Sequence, residues 1–192
     1  FGKTVCMINH LIRSALLSKQ KNPRYAYIAP TFKQAKSIAW DYMKQFTAKI
    51  PHTKFNETEL RVDLPNGSRI TLLGSESPDG LRGIYLDGCV IDEYANVNSK
   101  LFPEIIRPAL SDRKGYCVFI GTPMGMNNNF YELYQHAQGA EDWFNYKAKA
   151  SDTKIVDNDE LVKAKEVMGE KKYMQEFECD WIANIEGAVY GD

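Results

Sequence analysis

Residues 89–93 read Cys89-Val90-Ile91-Asp92-Glu93, a short apolar run passing straight into two carboxylates. A run of that length and character is a strand buried on both faces. Two carboxylates at its end are costly unless they serve something there. The carboxyl edge of an open α/β sheet is where such folds bind ligands. The same pair also fits a plain cap on the element that follows. Working outward, the flanking stretches alternate between strand and helix patterns. Upstream, RYAYIAP at 24–30 is a short strand stopped by Pro30, and 34–50 is a helix ended by Pro51. LRVDL at 60–64 and RITLL at 69–73 are alternating runs joined by Pro65-Asn66-Gly67-Ser68, and Asn-Gly in that place predicts a hairpin. Residues 74–83, GSESPDGLRG, form a polar, Gly-rich loop that feeds the acidic strand. Downstream, 99–110 reads as a helix interrupted by Pro103 and Pro108, and 116–120 as an apolar strand ending Gly121-Thr122-Pro123. A helix over 130–140, a strand over 144–150 and a helical stretch over 159–178 with a break near Gly169 complete the pattern. The expected fold is α/β, with a largely parallel sheet and helices on both faces.

The chain opens Phe1-Gly2-Lys3-Thr4 and passes into VCMINHLIRSALL, whose apolar residues at 5, 8, 11, 12 and 16 follow a helical period. Gly-Lys-Thr entering a helix is the tail of a phosphate-binding loop, G-x-x-x-x-G-K-S/T. That chemistry needs these residue types. Glycine lets the backbone approach the phosphates, and lysine reaches their oxygens. The hydroxyl binds Mg²⁺, and the helix N-terminus favours an anion. Only the second half of the motif is present, and a helix start with an incidental lysine has the same letters. Against Asp92, a phosphate loop gives a defined role: in phosphate-loop ATPases the aspartate orients Mg²⁺ and its waters. A glutamate directly after it can act as general base toward the attacking water. Thr122, at the end of the next strand, stands where a sensor of the terminal phosphate would stand, although Gly and Pro also end strands without function.

Composition sets the outer bounds. The chain has 192 residues with 44% hydrophobic and 26% charged, so it can bury a core and is no disordered tail. Its net charge of −1 gives no bulk signal for nucleic acid, and any such contact needs a local patch. No apolar run approaches the roughly 18–20 residues of a membrane span. Cysteines at 6, 89, 117 and 179 show no zinc spacing and read as reduced thiols. Cys6 and His10 lie four apart on the first helix, but two ligands do not make a metal site.

FGKT, YIAPTFKQAK, LRGIYLDGCVIDE and FIGTPMGMNNNFYELY, in this order, resemble the ATPase domain of tailed-bacteriophage large terminases, the DNA-packaging motors. The resemblance covers nearly the whole chain and rests on the ordered set. It implies a P-loop NTPase of the additional-strand, conserved-glutamate type. It implies that Gly2, Lys3 and Thr4 belong to the Walker A loop, with Thr4 and Asp92 as Mg²⁺ ligands, and that Glu93 is the catalytic glutamate. It also places Thr122 in the coupling motif and Arg82 at the position of a proposed arginine finger, with a surface arginine in a loop as the alternative. ATP and Mg²⁺ are the cofactors implied. The implied partners are double-stranded DNA, a portal protein, a small terminase subunit and further copies in a homo-oligomeric ring, in the host cytoplasm with no membrane.

On the same basis 1–150 is the ATPase core, lacking its first strand and half of Walker A, 151–186 a lid or linker, and 187–192 the start of a nuclease domain. The chain is expected to be an internal fragment of a longer protein. Lysines 163, 165, 171 and 172 are candidates for DNA contact, but a solvated helix face explains them as well. Two other readings share parts of the pattern. A superfamily 2 helicase-like or other P-loop nucleic-acid motor would carry further arginine-bearing motifs in a second domain. A nucleotide-binding scaffold without activity is disfavoured by the intact Asp92-Glu93 pair.

Overall fold

The apolar stripe after Gly2 forms helix α1 (Lys3–Leu17), and its Ile8, Leu11, Ile12 and Ala15 are buried. The computed structural model describes residues 2–182. Its strands are β1 (Arg24–Ala29), β2 (Lys54–Asn56), β3 (Arg61–Asp63), β4 (Arg69–Gly74), β5 (Gly88–Ile91) and β6 (Tyr116–Phe119). They form one sheet in the order β2-β3-β4-β1-β5-β6. The neighbours β4, β1, β5 and β6 run parallel, while β2 and β3 extend the β4 edge as antiparallel strands. The expected parallel sheet is therefore present, with an antiparallel extension. The Asn66-Gly67 hairpin joins β3 to β4, with Gly67 at φ 85 supplying the left-handed residue.

Alternation along the strands sorts the core into two faces. Tyr25, Tyr27, Ala29, Ile70, Leu72, Val62 and Val90 pack with the stripe of α1 and with Ala35, Ala39, Trp40 and Met43. Those last four belong to a continuous helical stretch made of α2 (Phe32–Ala35), a wide π turn (Lys36–Trp40) and α3 (Asp41–Thr47). The residues between, Ala26, Ile28, Cys89 and Ile91, are equally buried. On their side Phe119 of β6 meets the rings of Phe102 and Tyr94 at 4.7 Å. The interrupted helix expected over 99–110 is a π turn (Leu101–Ile106) followed by α4 (Arg107–Ser111), where Pro103 and Pro108 each remove a backbone donor.

The chain divides into two compact units at Ile120–Gly121. The second unit holds α5 (Asn129–Gly139), α6 (Ala150–Thr153), α7 (Asn158–Met168) and α8 (Glu170–Glu178). Trp181 is its aromatic centre, with Phe130, Tyr131 and Tyr134 within 5.4 Å. The strand expected over 144–150 does not form. A strand needs a ladder partner, and this stretch is tied to α5 by side chains instead. Asn145 donates to the Ala137 carbonyl at 3.3 Å, and Lys147 lies 4.6 Å over the Tyr134 ring. Gly169 separates α7 from α8, as the break predicts. Two of the lysines of these helices lie beside acids: Lys165 pairs with Glu170 and Lys172 with Glu176, both at 2.7 Å. The expected nuclease start at 187–192, and the end of the expected linker, fall outside the described residues.

Candidate active site

Asp92 stands one residue past β5 and is 3% exposed. Its N–H continues the ladder by donating to the Ile28 carbonyl at 2.8 Å. A carboxylate buried this deeply requires donors, and it has them from three parts of the chain. Thr4, in the first turn of α1, donates its hydroxyl to Oδ2 at 3.0 Å across 88 residues of sequence. Tyr27 of β1 donates its hydroxyl to the same oxygen. The Glu93 N–H donates to Oδ1 at 2.8 Å. The structure thus joins the Gly-Lys-Thr segment to the acidic strand end.

Glu93 adopts a left-handed conformation, φ 49 and ψ 47, which residues with a Cβ enter at a cost and which clusters at functional sites. The turn around it is pinned. Asn96 N–H donates to the Glu93 carbonyl at 2.8 Å, and Tyr94 N–H reaches the Ile120 carbonyl at 3.1 Å. Glu93 itself is half-buried. At the other contributor, Gly2 caps α1 with φ 73, and the first turn contains no acid. Lys3 stands in the first turn of α1, at the positive end of the helix dipole.

Tyr27 was not among the residues expected from sequence. It is fully buried, between Leu72 of β4 and Val90 of β5 in register. Burial first, and then the Asp92 charge, push its phenol well above the ordinary tyrosine range. It remains a hydroxyl donor. The available signal was a tyrosine near the end of a buried strand, because a buried phenol needs a polar partner.

Arg82 follows a 3-10 turn (Pro78–Leu81) in the Gly-rich loop. Its Nε donates to Asp79 Oδ1 at 2.8 Å and its Nη2 to Glu104 Oε2 at 3.4 Å, with the side chain 55% exposed. These pairs lie outside the Asp92 cluster. A cavity of about 370 Å³ beside it is lined by Asp79, Asn98, Lys100 and Glu104 among others. The stem of the loop is fixed. Glu76 accepts the Phe32 N–H at 2.8 Å, and Gly74 is so close to Glu76 and Phe32 that a Cβ there would overlap both.

Thr122 is half-buried in the second unit, one residue beyond the start of that unit at Gly121. Cys6 is exposed, and His10 stands edge-on to Tyr116 at 5.1 Å. Among the described residues no group of three or more His, Cys, Asp or Glu side chains is placed to hold a metal ion. Among them, too, no helix is long and apolar enough to cross a membrane.

Residues 1–190 match the family described as terminase large subunit, T4-like-virus type, N-terminal. Over 126 residues the chain is 30% identical to the large terminase subunits of Thermus phage G20c and Thermus virus P23-45, covering 56% of this chain. The match spans only 26% of those relatives' length. Among solved structures, the large terminase ATPase domain of Thermus phage P74-26 superposes with a TM-score of 0.77 at 21% identity, over 94% of this chain and 84% of that one. The large terminase of a thermophilic bacteriophage, in complex with ADP, gives 0.78 at 15% identity, over 94% and 46%. These two likenesses establish the fold.

Proposed function

The chain belongs to the large terminase family of T4-like-virus type, and on that premise we propose that it is an ATP-hydrolysing motor domain coupling hydrolysis to translocation of double-stranded DNA into a procapsid. The observation that carries the reading is the Thr4–Asp92 hydrogen bond at 3.0 Å, which unites the end of a phosphate loop with an acidic strand end. Membership in this family supports this reading over the helicase-like alternative.

The donor set fits Mg²⁺. A carboxylate and a hydroxyl are hard oxygen ligands, and Mg²⁺ is commonly held by one or two carboxylates together with the substrate's phosphates. Thr4 and Asp92 would hold it. When bound, the ion offsets charge on the β- and γ-phosphates. Gly2 lets the backbone approach those phosphates, while Lys3 and the first N–H groups of α1 bind their oxygens. Glu93 orients the attacking water and accepts its proton, a role that contributes typically about 10²–10⁴-fold in rate. Thr122 belongs to the coupling motif. Arg82 leaves Asp79 and Glu104 to stabilise transition-state charge on a neighbouring subunit's nucleotide. A finger acting in this way implies a homo-oligomeric ring. The partners that follow are a portal protein and a small terminase subunit, in the host cytoplasm. Contact with DNA is to phosphates, hence salt-sensitive and independent of sequence.

The test compares Lys3→Ala with Glu93→Gln in the full-length protein, by binding of a fluorescent ATP analogue and by phosphate release. Both variants lose turnover. Lys3→Ala also binds ATP weakly, because a charge has left the phosphates, whereas Glu93→Gln binds it as wild type does. Equal loss of binding in both contradicts the role given to Glu93.

A further inference from the structure

Three donors hold the Asp92 carboxylate, and two of them carry other proposed duties. Thr4 ends the phosphate loop, and the Glu93 N–H belongs to the residue that handles the water. The third, Tyr27, comes from β1, which is paired on both sides by β4 and β5, and its ring is fully buried. The phenol is thus anchored by a central strand. It is not set by the loop or the turn that ligand binding would engage. A second tyrosine on the same strand face, Tyr25, donates to the Ser14 carbonyl near the far end of α1 at 3.2 Å. Tyr25 is buried to nearly the same degree and has no part in the Asp92 cluster, which makes it an internal control.

We propose that Tyr27 is a positioning residue for Asp92. Its hydroxyl holds Oδ2 from the sheet side, so the carboxylate keeps its orientation when the Thr4 hydroxyl is engaged by a metal–nucleotide complex. This rests on the reading of Asp92 as a metal ligand. Hydrogen-bonded partners of metal ligands fix the ligand's direction, and removing one typically costs about 10–100-fold in metal affinity. The phenylalanine variant removes one oxygen atom and leaves the ring to fill its place.

The experiment is an Mn²⁺ titration of the full-length protein with saturating ADP, followed by electron paramagnetic resonance. The variants are Tyr27→Phe, Tyr25→Phe, Asp92→Asn and the Tyr27→Phe/Asp92→Asn double. Urea unfolding is measured on each. Tyr27→Phe should weaken Mn²⁺ binding about 10–100-fold while metal-free ADP binding stays at the wild-type level. Tyr25→Phe, which loses a hydrogen-bonded hydroxyl on the same strand face outside the Asp92 cluster, should bind Mn²⁺ as wild type does. The double variant should bind no more weakly than Asp92→Asn alone. Wild-type Mn²⁺ affinity in Tyr27→Phe overturns the proposal, as does an equal loss in Tyr25→Phe or a further loss in the double. Failure of the wild-type protein to bind Mn²⁺ with ADP overturns the reading of the site itself, and is distinguishable from these results.

Discussion

The carboxylate after β5 and the guanidinium in the 74–83 loop are both charged, and the fold treats them in opposite ways. Asp92 is 3% exposed and accepts hydrogen bonds from a helix, a strand and a turn. The Arg82 side chain is 55% exposed and pairs with two carboxylates that are themselves at the surface. A buried charge is tolerated only when its donors are in place, and removing one of them leaves part of that charge uncompensated. An exposed ion pair is screened by water and salt, so it can be exchanged for another at little cost. The difference separates a group built to stay where it is from a group able to change partners. It also divides the loop internally. The stem is clamped by Glu76 on the Phe32 N–H, whereas Arg82 is held by surface ion pairs.

The largest effect that tests this contrast is on turnover. Arg82→Ala should lower ATPase activity by about 10³–10⁵ while nucleotide affinity and the urea midpoint stay at wild-type values. Mixing Arg82→Ala subunits with Glu93→Gln subunits should restore part of the activity, because some sites then pair an intact glutamate with a neighbour's intact arginine. No recovery in rings shown to be mixed breaks the assignment across subunits, and a fall in stability would make Arg82 a structural residue. Next in size is Gly74→Ala. A Cβ there would lie 1.9 Å from Glu76 Oε2 and 2.2 Å from the Phe32 nitrogen, so the stem must shift, at a cost of about 1–3 kcal/mol read by chemical denaturation. A neutral result would mean that the stem is as adaptable as the loop it supports. Smallest is Asp79→Asn, which removes one of the two carboxylates on Arg82. The unfolding midpoint should not move. A clear drop would show that the Arg82 pairs are part of the built structure and erase the distinction.

Much of the site was legible because its residue types are unusual in their local setting. Two acids at the end of the apolar run 89–91, and Gly-Lys-Thr at the start of a helix, each break the local pattern in a way that chemistry explains. Tyr27 was not legible. In RYAYIAP it follows the strand pattern, and only the identity of its partner, 65 residues away, gives it meaning. Glu76 is a similar case: a carboxylate in a polar loop looks solvated until the helix it caps, 44 residues away, is seen beside it. The 144–150 stretch misled in the other direction. Its apolar alternation suits a strand, yet Phe144 is 87% exposed and Tyr146 70%, and the segment lies along α5.

Taken alone, the order of residues determined the elements whose cause is local. The Asn66-Gly67 turn, the helix after Gly2, the break at Gly169 and the acidic end of β5 follow from backbone preferences and from the period of burial, which act over a few residues. Only the tertiary structure decided which distant groups meet. It added β2 as a further antiparallel strand beside the hairpin, divided the chain at Ile120–Gly121, and brought the hydroxyls of Thr4 and Tyr27 onto one oxygen of Asp92. The physical reason is that periodicity reports which face a residue is on, whereas a hydrogen bond is set by position to within a few tenths of an ångström, and that position is fixed by the packing of helices and strands from the whole sheet.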